Sequence, residues 1–262
     1  MKIGSRLFLM GFLGFGMVLG CLSSVSAQLD ATKLPAAKKA VAAFAVRAKG
    51  SEKSGEVPRI TDPAIKALLD AALDTRDIET VSVPYASLSS VSERMLAGTQ
   101  VGLIYMLAGT GASDIAKISA DPNAGEKINL NVIKYPEEMG RYFDFAVTIQ
   151  GAIAESVSGH LSSAKPAELA RPNFQSGLAD IRSGGANTVS GVIETLAVNG
   201  LTDEWIRARV PALRAVAPKL KKFLLADQKE AMRKLAIACA DVTDDAQAKK
   251  GLQEFALTIA GE

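Results

Sequence analysis

The chain has 262 residues, with 30 Lys and Arg against 28 Asp and Glu, a formal charge of +2, one His and two Cys. Interleaved charges of this near balance exclude the one-sign basic field of a nucleic-acid-binding domain. So few His and Cys exclude the common His/Cys zinc constellations, and the length is ample for a core that needs no staples.

The first 27 residues carry the clearest local signal. Lys2 and Arg6 precede the apolar run from Leu7 to Leu22, and Val25-Ser26-Ala27 supplies small residues before a cleavage point. That is the anatomy of a secretory signal peptide, cut after Ala27 to leave Gln28 as the first mature residue. The run carries Gly11, Gly14, Gly16 and Gly20 and falls short of the roughly 20 consecutive apolar residues of a spanning helix.

A second processing reading lies within the same segment. Met17-Val18-Leu19-Gly20-Cys21 resembles a bacterial lipobox, in which Cys21 would be lipidated and become the mature N-terminus. Leu19 is only tolerated in that pattern. With cleavage at Ala27, Cys239 is the one cysteine left, so no intramolecular bridge can form. Its setting, Leu235-Ala236-Ile237-Ala238-Cys239-Ala240, is that of a small buried hydrophobe.

Residues 28–60 form a basic, Ala- and Lys-rich segment in which Lys38, Lys39, Arg47, Lys49, Lys53 and Arg59 outweigh Asp30, Glu52 and Glu56. A short helix is expected between Pro35 and Lys49, with Val41, Phe44, Ala45 and Ala48 on one face. With mostly Ala on that face it reads as a loosely docked or frayed terminal helix, the alternative being contact with an anionic membrane surface. Gly50-Ser51-Glu52-Lys53-Ser54-Gly55 reads as a linker.

Residues 61–262 read as one helical domain. Thr61-Asp62-Pro63 caps a helix striped by Ile65, Leu68, Leu69 and Leu73, and Val81 and Val83 offer at most a short extended piece. Leu88, Val91, Met95, Thr99, Leu103 and Met106 predict a helix from Leu88 to Ala108, where Gly98 and Gly102 permit a close neighbour. The stretch from Gly109 to Lys134 is ambiguous, with a turn at Asp121-Pro122-Asn123. A long helix follows Pro136, and another starts near Asn173, interrupted at Gly184-Gly185 and stopped at Asn199-Gly200. The last three elements are Thr202 to about Leu225, broken or shifted by Pro211 and Pro218, then Asp227 to Ala240 and Asp244 to Ala260. The fold class is therefore all-α: an irregular bundle of about seven to nine helices after the signal peptide.

Candidate chemistry is sparse. His160 has Glu155, Ser156, Ser158, Ser162 and Ser163 close in sequence, but Glu155 lies about 140° away around an ideal helix, so the two share no face. Ser162-Ser163-Ala164-Lys165 matches Ser-x-x-Lys, without the Ser-Asp-Asn and Lys-Thr-Gly motifs that mechanism also uses. Gly109-Thr110-Gly111 lacks the rest of a phosphate loop and reads as a helix stop. Asp241, Asp244 and Asp245 do not have EF-hand spacing, and Asp244 sits where a helix needs its cap. Trp205 reads as an inter-helix anchor. No catalytic, cofactor-binding or metal-binding residue is assigned from the sequence; the processing residues Ala27 and Gln28, with Cys21 as the alternative, are the site assignment. The expected protein is periplasmic or secreted, or else a membrane-anchored lipoprotein, and acts by binding an envelope component or small ligand in preference to catalysis. The catalytic alternative is a helical hydrolase that brings together acids such as Glu93, Glu155 or Glu194.

Overall fold

The computed structural model describes residues 32–79, 82–112, 118 and 121–261. The export segment, with Cys21, Ala27 and Gln28, lies outside them, as does Val81. The helices are α1 (Lys33–Arg47), α2 (Pro63–Ala72), α3 (Leu88–Met106), α4 (Ala124–Lys134), α5 (Pro136–Ser163), α6 (Pro172–Leu196), α7 (Asp203–Phe223), α8 (Ala226–Asp241) and α9 (Ala246–Ala260). Single helical turns occupy Ser51–Ser54, Arg76–Glu79 and Pro166–Leu169, and a 3-10 turn occupies Tyr85–Ser87. There is no strand among the described residues, and the chain is an all-α bundle.

Helix α5 organises the bundle because most of its circumference is buried, leaving one polar stripe of Glu137, Arg141, Asp144, Thr148 and Glu155 half-buried or exposed. Phe145, Ala146 and Val147 are buried in succession, as are Ile149, Gln150, Gly151, Ala152, Ile153 and Ala154, a pattern found only in a helix enclosed by others. Helix α3 covers one side, and α6 and α7 cover most of the rest. A Cβ at Gly98 would overlap the Phe145 ring, and one at Gly102 would lie 2.7 Å from Tyr142 Cε1. The two backbones therefore meet across glycine, running antiparallel. On the far side Gly140 faces Trp205 and Arg209 while Gly151 faces Val216, so α5 and α7 run in the same direction with α6 as the return. Helix α9 lies along α7, and α8 packs on α9 and α6.

Local rules account for the helix starts. Asp62 accepts a hydrogen bond from Ala64 N (2.8 Å), Thr202 from Trp205 N (3.2 Å) and Asp245 from Ala248 N (2.7 Å), each satisfying a donor that a first turn leaves free. The cap of α9 is thus Asp245, one residue beyond the expected Asp244. Interior breakers are overridden. Helix α6 is continuous through Gly184-Gly185, and α7 through Pro211 and Pro218. Both prolines sit on the exposed side of α7, where the carbonyls deprived of their donors meet water, while Trp205, Val210, Leu213, Val216, Leu220 and Phe223 bury the other side. Tertiary burial of that face outweighs the local cost of proline.

The N-terminal helix is not loosely docked. Its inner face, Ala37, Ala40, Val41, Phe44 and Ala48, is buried against α2 and α3; Ala45, assigned to that face from the sequence, is exposed. The Phe44 ring stacks on Tyr105 at 5.5 Å, and truncation of so fully buried an aromatic costs about 3–5 kcal/mol. Residues 50–60, which read as a linker, form an ordered strap. Gly109 N and Gly111 N donate to Ser51 O (2.9 Å) and Glu52 O (2.7 Å), Tyr135 Oη donates to Gly55 O (2.7 Å), and Tyr105 Oη donates to Pro58 O (2.8 Å). The carboxylate of Glu138 is fully buried and accepts from Arg59 Nε (3.0 Å) and Ile60 N (2.9 Å). The strap keeps its form because two other parts of the chain, residues 105–111 and 135–138, supply its hydrogen-bond partners.

Two alanine substitutions separate the roles of glycine in these helices. Gly98→Ala forces α3 from α5 and is expected to destabilise the protein by about 1–3 kcal/mol. Gly159→Ala, at a helical position with open space around the new methyl, is expected to stabilise it by about 0.5–1 kcal/mol. Urea denaturation of the two variants measures both; equal effects would contradict the packing described for α3 and α5.

Candidate functional site

The most chemically distinctive cluster surrounds the sole histidine. His160 lies in the last turn of α5, its ring stacked on Tyr85 with centroids 3.7 Å apart and planes 6° from parallel, and Phe174 at the start of α6 meets it at 5.8 Å with its ring tilted by 49°. Its Nε2 is buried 3.2 Å from Glu168 Oε1, close enough for an ion pair when the imidazole is protonated but without the alignment of a hydrogen bond. Burial and the Glu168 carboxylate raise the pKa of the Tyr85 phenol above its ordinary value.

Sequence reasoning tested Glu155 as the partner of His160 and missed Glu168. Glu155 instead pairs with Lys219 at 2.8 Å. The signal for Glu168 was Pro166, which ends α5 and starts the single turn that carries Glu168 back across the helix terminus. A carboxylate beside imidazole orients it; of the nearby hydroxyls Ser162 Oγ donates to Ser158 O at 2.9 Å and Ser163 Oγ to Gly159 O at 3.1 Å, whereas Ser156 Oγ and Ser158 Oγ are buried and make no hydrogen bond among the described residues. The Ser-x-x-Lys match therefore places its first serine in helix-end bonding, and the cluster fastens α5 to α6 and to the Tyr85 turn.

The remaining candidates are dispersed. Glu93 pairs with Lys38 at 2.5 Å between α3 and α1, and Glu155 with Lys219 between α5 and α7. Glu194, on α6, is half-buried with no ion-pair partner among the described residues, and burial raises its pKa to about 7. The three acids occupy different helix interfaces. Asp245 is committed to capping α9 and to Arg207 at 2.9 Å, so the acidic trio near Asp241 offers no shared face to a cation. Among the described residues no group of three or more His, Cys, Asp or Glu side chains is placed to hold a metal ion. Gly109 and Gly111 have positive φ and end α3, and Trp205 donates from Nε1 to Pro136 O at 2.6 Å while its ring meets Phe143 edge-on.

Buried charge is otherwise structural. Arg94 forks onto Asp77, with Nη1 to Oδ2 at 2.8 Å and Nη2 to Oδ1 at 3.1 Å, and also donates to Asp74 O. A hydrogen bond from Arg76, reinforced by Lys33, holds the Asp74 carboxyl well below the usual range. Asp144 is raised to about 6 because burial outweighs the attraction of Arg209. Burial pushes the Cys239 thiol up to about 11, the direction that suppresses thiolate chemistry. No helix among the described residues is long and apolar enough to cross a membrane. No protein family, curated protein or solved structure matches the chain.

Two measurements follow from these titrations. Because the folded pKa of Glu194 lies above its unfolded value, its contribution favours the fold at low pH and is lost as pH rises through about 7. Glu194→Gln should therefore leave stability near pH 4 unchanged and raise it at pH 8 by on the order of 1 kcal/mol, after allowance for solvent screening at a half-buried position. Denaturant titrations at the two pH values check this, and no gain at pH 8 would contradict it. Cys239 should resist a maleimide in the native protein and react on denaturation; rapid native labelling would place the thiol at the surface.

Proposed function

We propose that the chain is an exported helical protein of the bacterial cell envelope, periplasmic or secreted, that acts by binding an envelope component or small ligand without catalysing a reaction. The observation that carries this reading is the order Lys2, Arg6, an apolar run and Val25-Ser26-Ala27, which matches the charged region, core and cleavage site of a secretory leader. The lone mature cysteine suits it: Cys239 is buried and needs no partner in an oxidising compartment. The dispersal of Glu93, Glu155 and Glu194 to separate helix interfaces favours binding over an acid-catalysed hydrolase, which needs two carboxyl groups facing one substrate.

A specific second reading rests on Leu19-Gly20-Cys21. If Cys21 is acylated, the same bundle is a lipoprotein scaffold held at a membrane.

Intact-mass analysis of the protein recovered from its native host separates the two. A polypeptide beginning at Gln28 is expected; an acylated N-terminus at Cys21 would replace the soluble form with the tethered one, and a chain retaining residues 1–27 in the cytoplasm would overturn export altogether.

A further inference from the structure

Helix α1 spends its apolar face on the bundle and turns a cationic face outward. From residue 31 to residue 55 the chain carries Lys33, Lys38, Lys39, Arg47, Lys49 and Lys53 against one acid, Glu52. Lys33 and Lys38 are drawn to Asp74 and Glu93, each at 2.5 Å. Lys39, Arg47, Lys49 and Lys53 are exposed and have no ion-pair partner among the described residues.

Lys39, Ala42, Ala43 and Val46 follow the i, i+3, i+4, i+7 stripe of a single helix side. Arg47 borders that side, and Lys49 and Lys53 continue past the helix end. Val46 is 76% exposed, so the outward face is a low apolar strip with cations along it. Lys39 stands at one end of this face, about 12 Å along the helix from Arg47, and Arg47, Lys49 and Lys53 gather at the other.

We propose that this face docks on a bilayer surface rich in anionic phospholipid. Phosphate headgroups complement an unpaired row of Lys and Arg, and the Ala42, Ala43 and Val46 strip is shallow enough to rest at the headgroup boundary without a hydrophobic anchor. The face has no aromatic side chain on which a nucleic-acid base would stack. Insertion of the amphipathic helix, the mode its sequence first suggests, is closed to it because Val41 and Phe44 are already buried. Docking is therefore electrostatic and reversible. The Ser51–Ser54 turn that follows α1 is tied to Gly109 and Gly111, which holds Lys49 and Lys53 in register with the helix.

The proposal rests on the export reading only in bringing the chain to a membrane face. Its test uses purified components, so a failure of docking is read apart from a failure of export in the mass spectrum. The chain beginning at Gln28 is sedimented with vesicles rich in phosphatidylglycerol and with vesicles of phosphatidylcholine alone. Two variants of equal charge are compared: Lys39→Gln with Lys49→Gln and Lys53→Gln, and Lys221→Gln with Lys222→Gln and Lys229→Gln. Circular dichroism verifies that each retains its helices.

Binding to the anionic vesicles alone is expected, with loss at high salt. At a factor of about five per cation, the α1 variant should bind roughly 100-fold more weakly while the other triple variant stays close to the parent. The proposal is overturned by absence of binding to phosphatidylglycerol, by equal binding to both vesicle types, or by equal loss in the two variants. Retention on heparin with no vesicle binding would also overturn it, in favour of a soluble polyanion.

Discussion

Helix α5 buries side chains on all but one narrow polar stripe, so it can leave water only if other helices occupy most of the sectors around it. That requirement explains both layers of the molecule. The segments before it fold back to supply α3, α1 and the strap, and the segments after it supply α6, α7 and, outside them, α8 and α9. Glycine at 98 and 102 on α3, and at 140 and 151 on α5 itself, lets neighbours approach where Phe145, Tyr142, Trp205 and Val216 need room. Polar groups enter this enclosure in mid-helix at Gln150 and at its two ends. Glu138 enters in the first turn, where the helix dipole favours a carboxylate and Arg59 and Ile60 meet it; His160 enters in the last, against Glu168.

Much of the helical architecture was legible because it is written in short-range terms. The Asp62-Pro63 start, the Ile65 and Leu69 stripe and the Thr202 cap depend on residues within a few positions of one another, and the all-α class follows from their repetition. What was not legible depends on distant partners. Gly50 to Gly55 has a linker's composition, but its order comes from residues 105 to 111 and 135 to 138. Proline at 211 and 218 forecasts a break, yet one buried face of α7 keeps the helix continuous past both. The histidine cluster was half legible: His160 and its helix end were apparent, whereas Glu168 required knowing how the chain turns at Pro166.

The same distinction bears on charge. A count of ionisable residues along 28–60 shows only that the segment is basic. Pairing in the fold divides those cations into Lys33, Lys38 and Arg59, whose ion pairs join distant segments, and Lys39, Arg47, Lys49 and Lys53, which form none among the described residues. Which cations the fold leaves uncompensated is not revealed by composition alone.

The strap has a consequence for how the molecule assembles. Its bonds from Arg59 and Ile60 to Glu138 join residues 79 and 78 positions apart, and that from Tyr135 to Gly55 joins residues 80 apart. Closing loops of this length precedes any reward from the contacts they bring, which makes such contacts late and slow to form. A chain emerging from its N-terminus therefore cannot complete the strap until α5 has followed it. Over that interval the early segment lacks the long-range hydrogen bonds that order it.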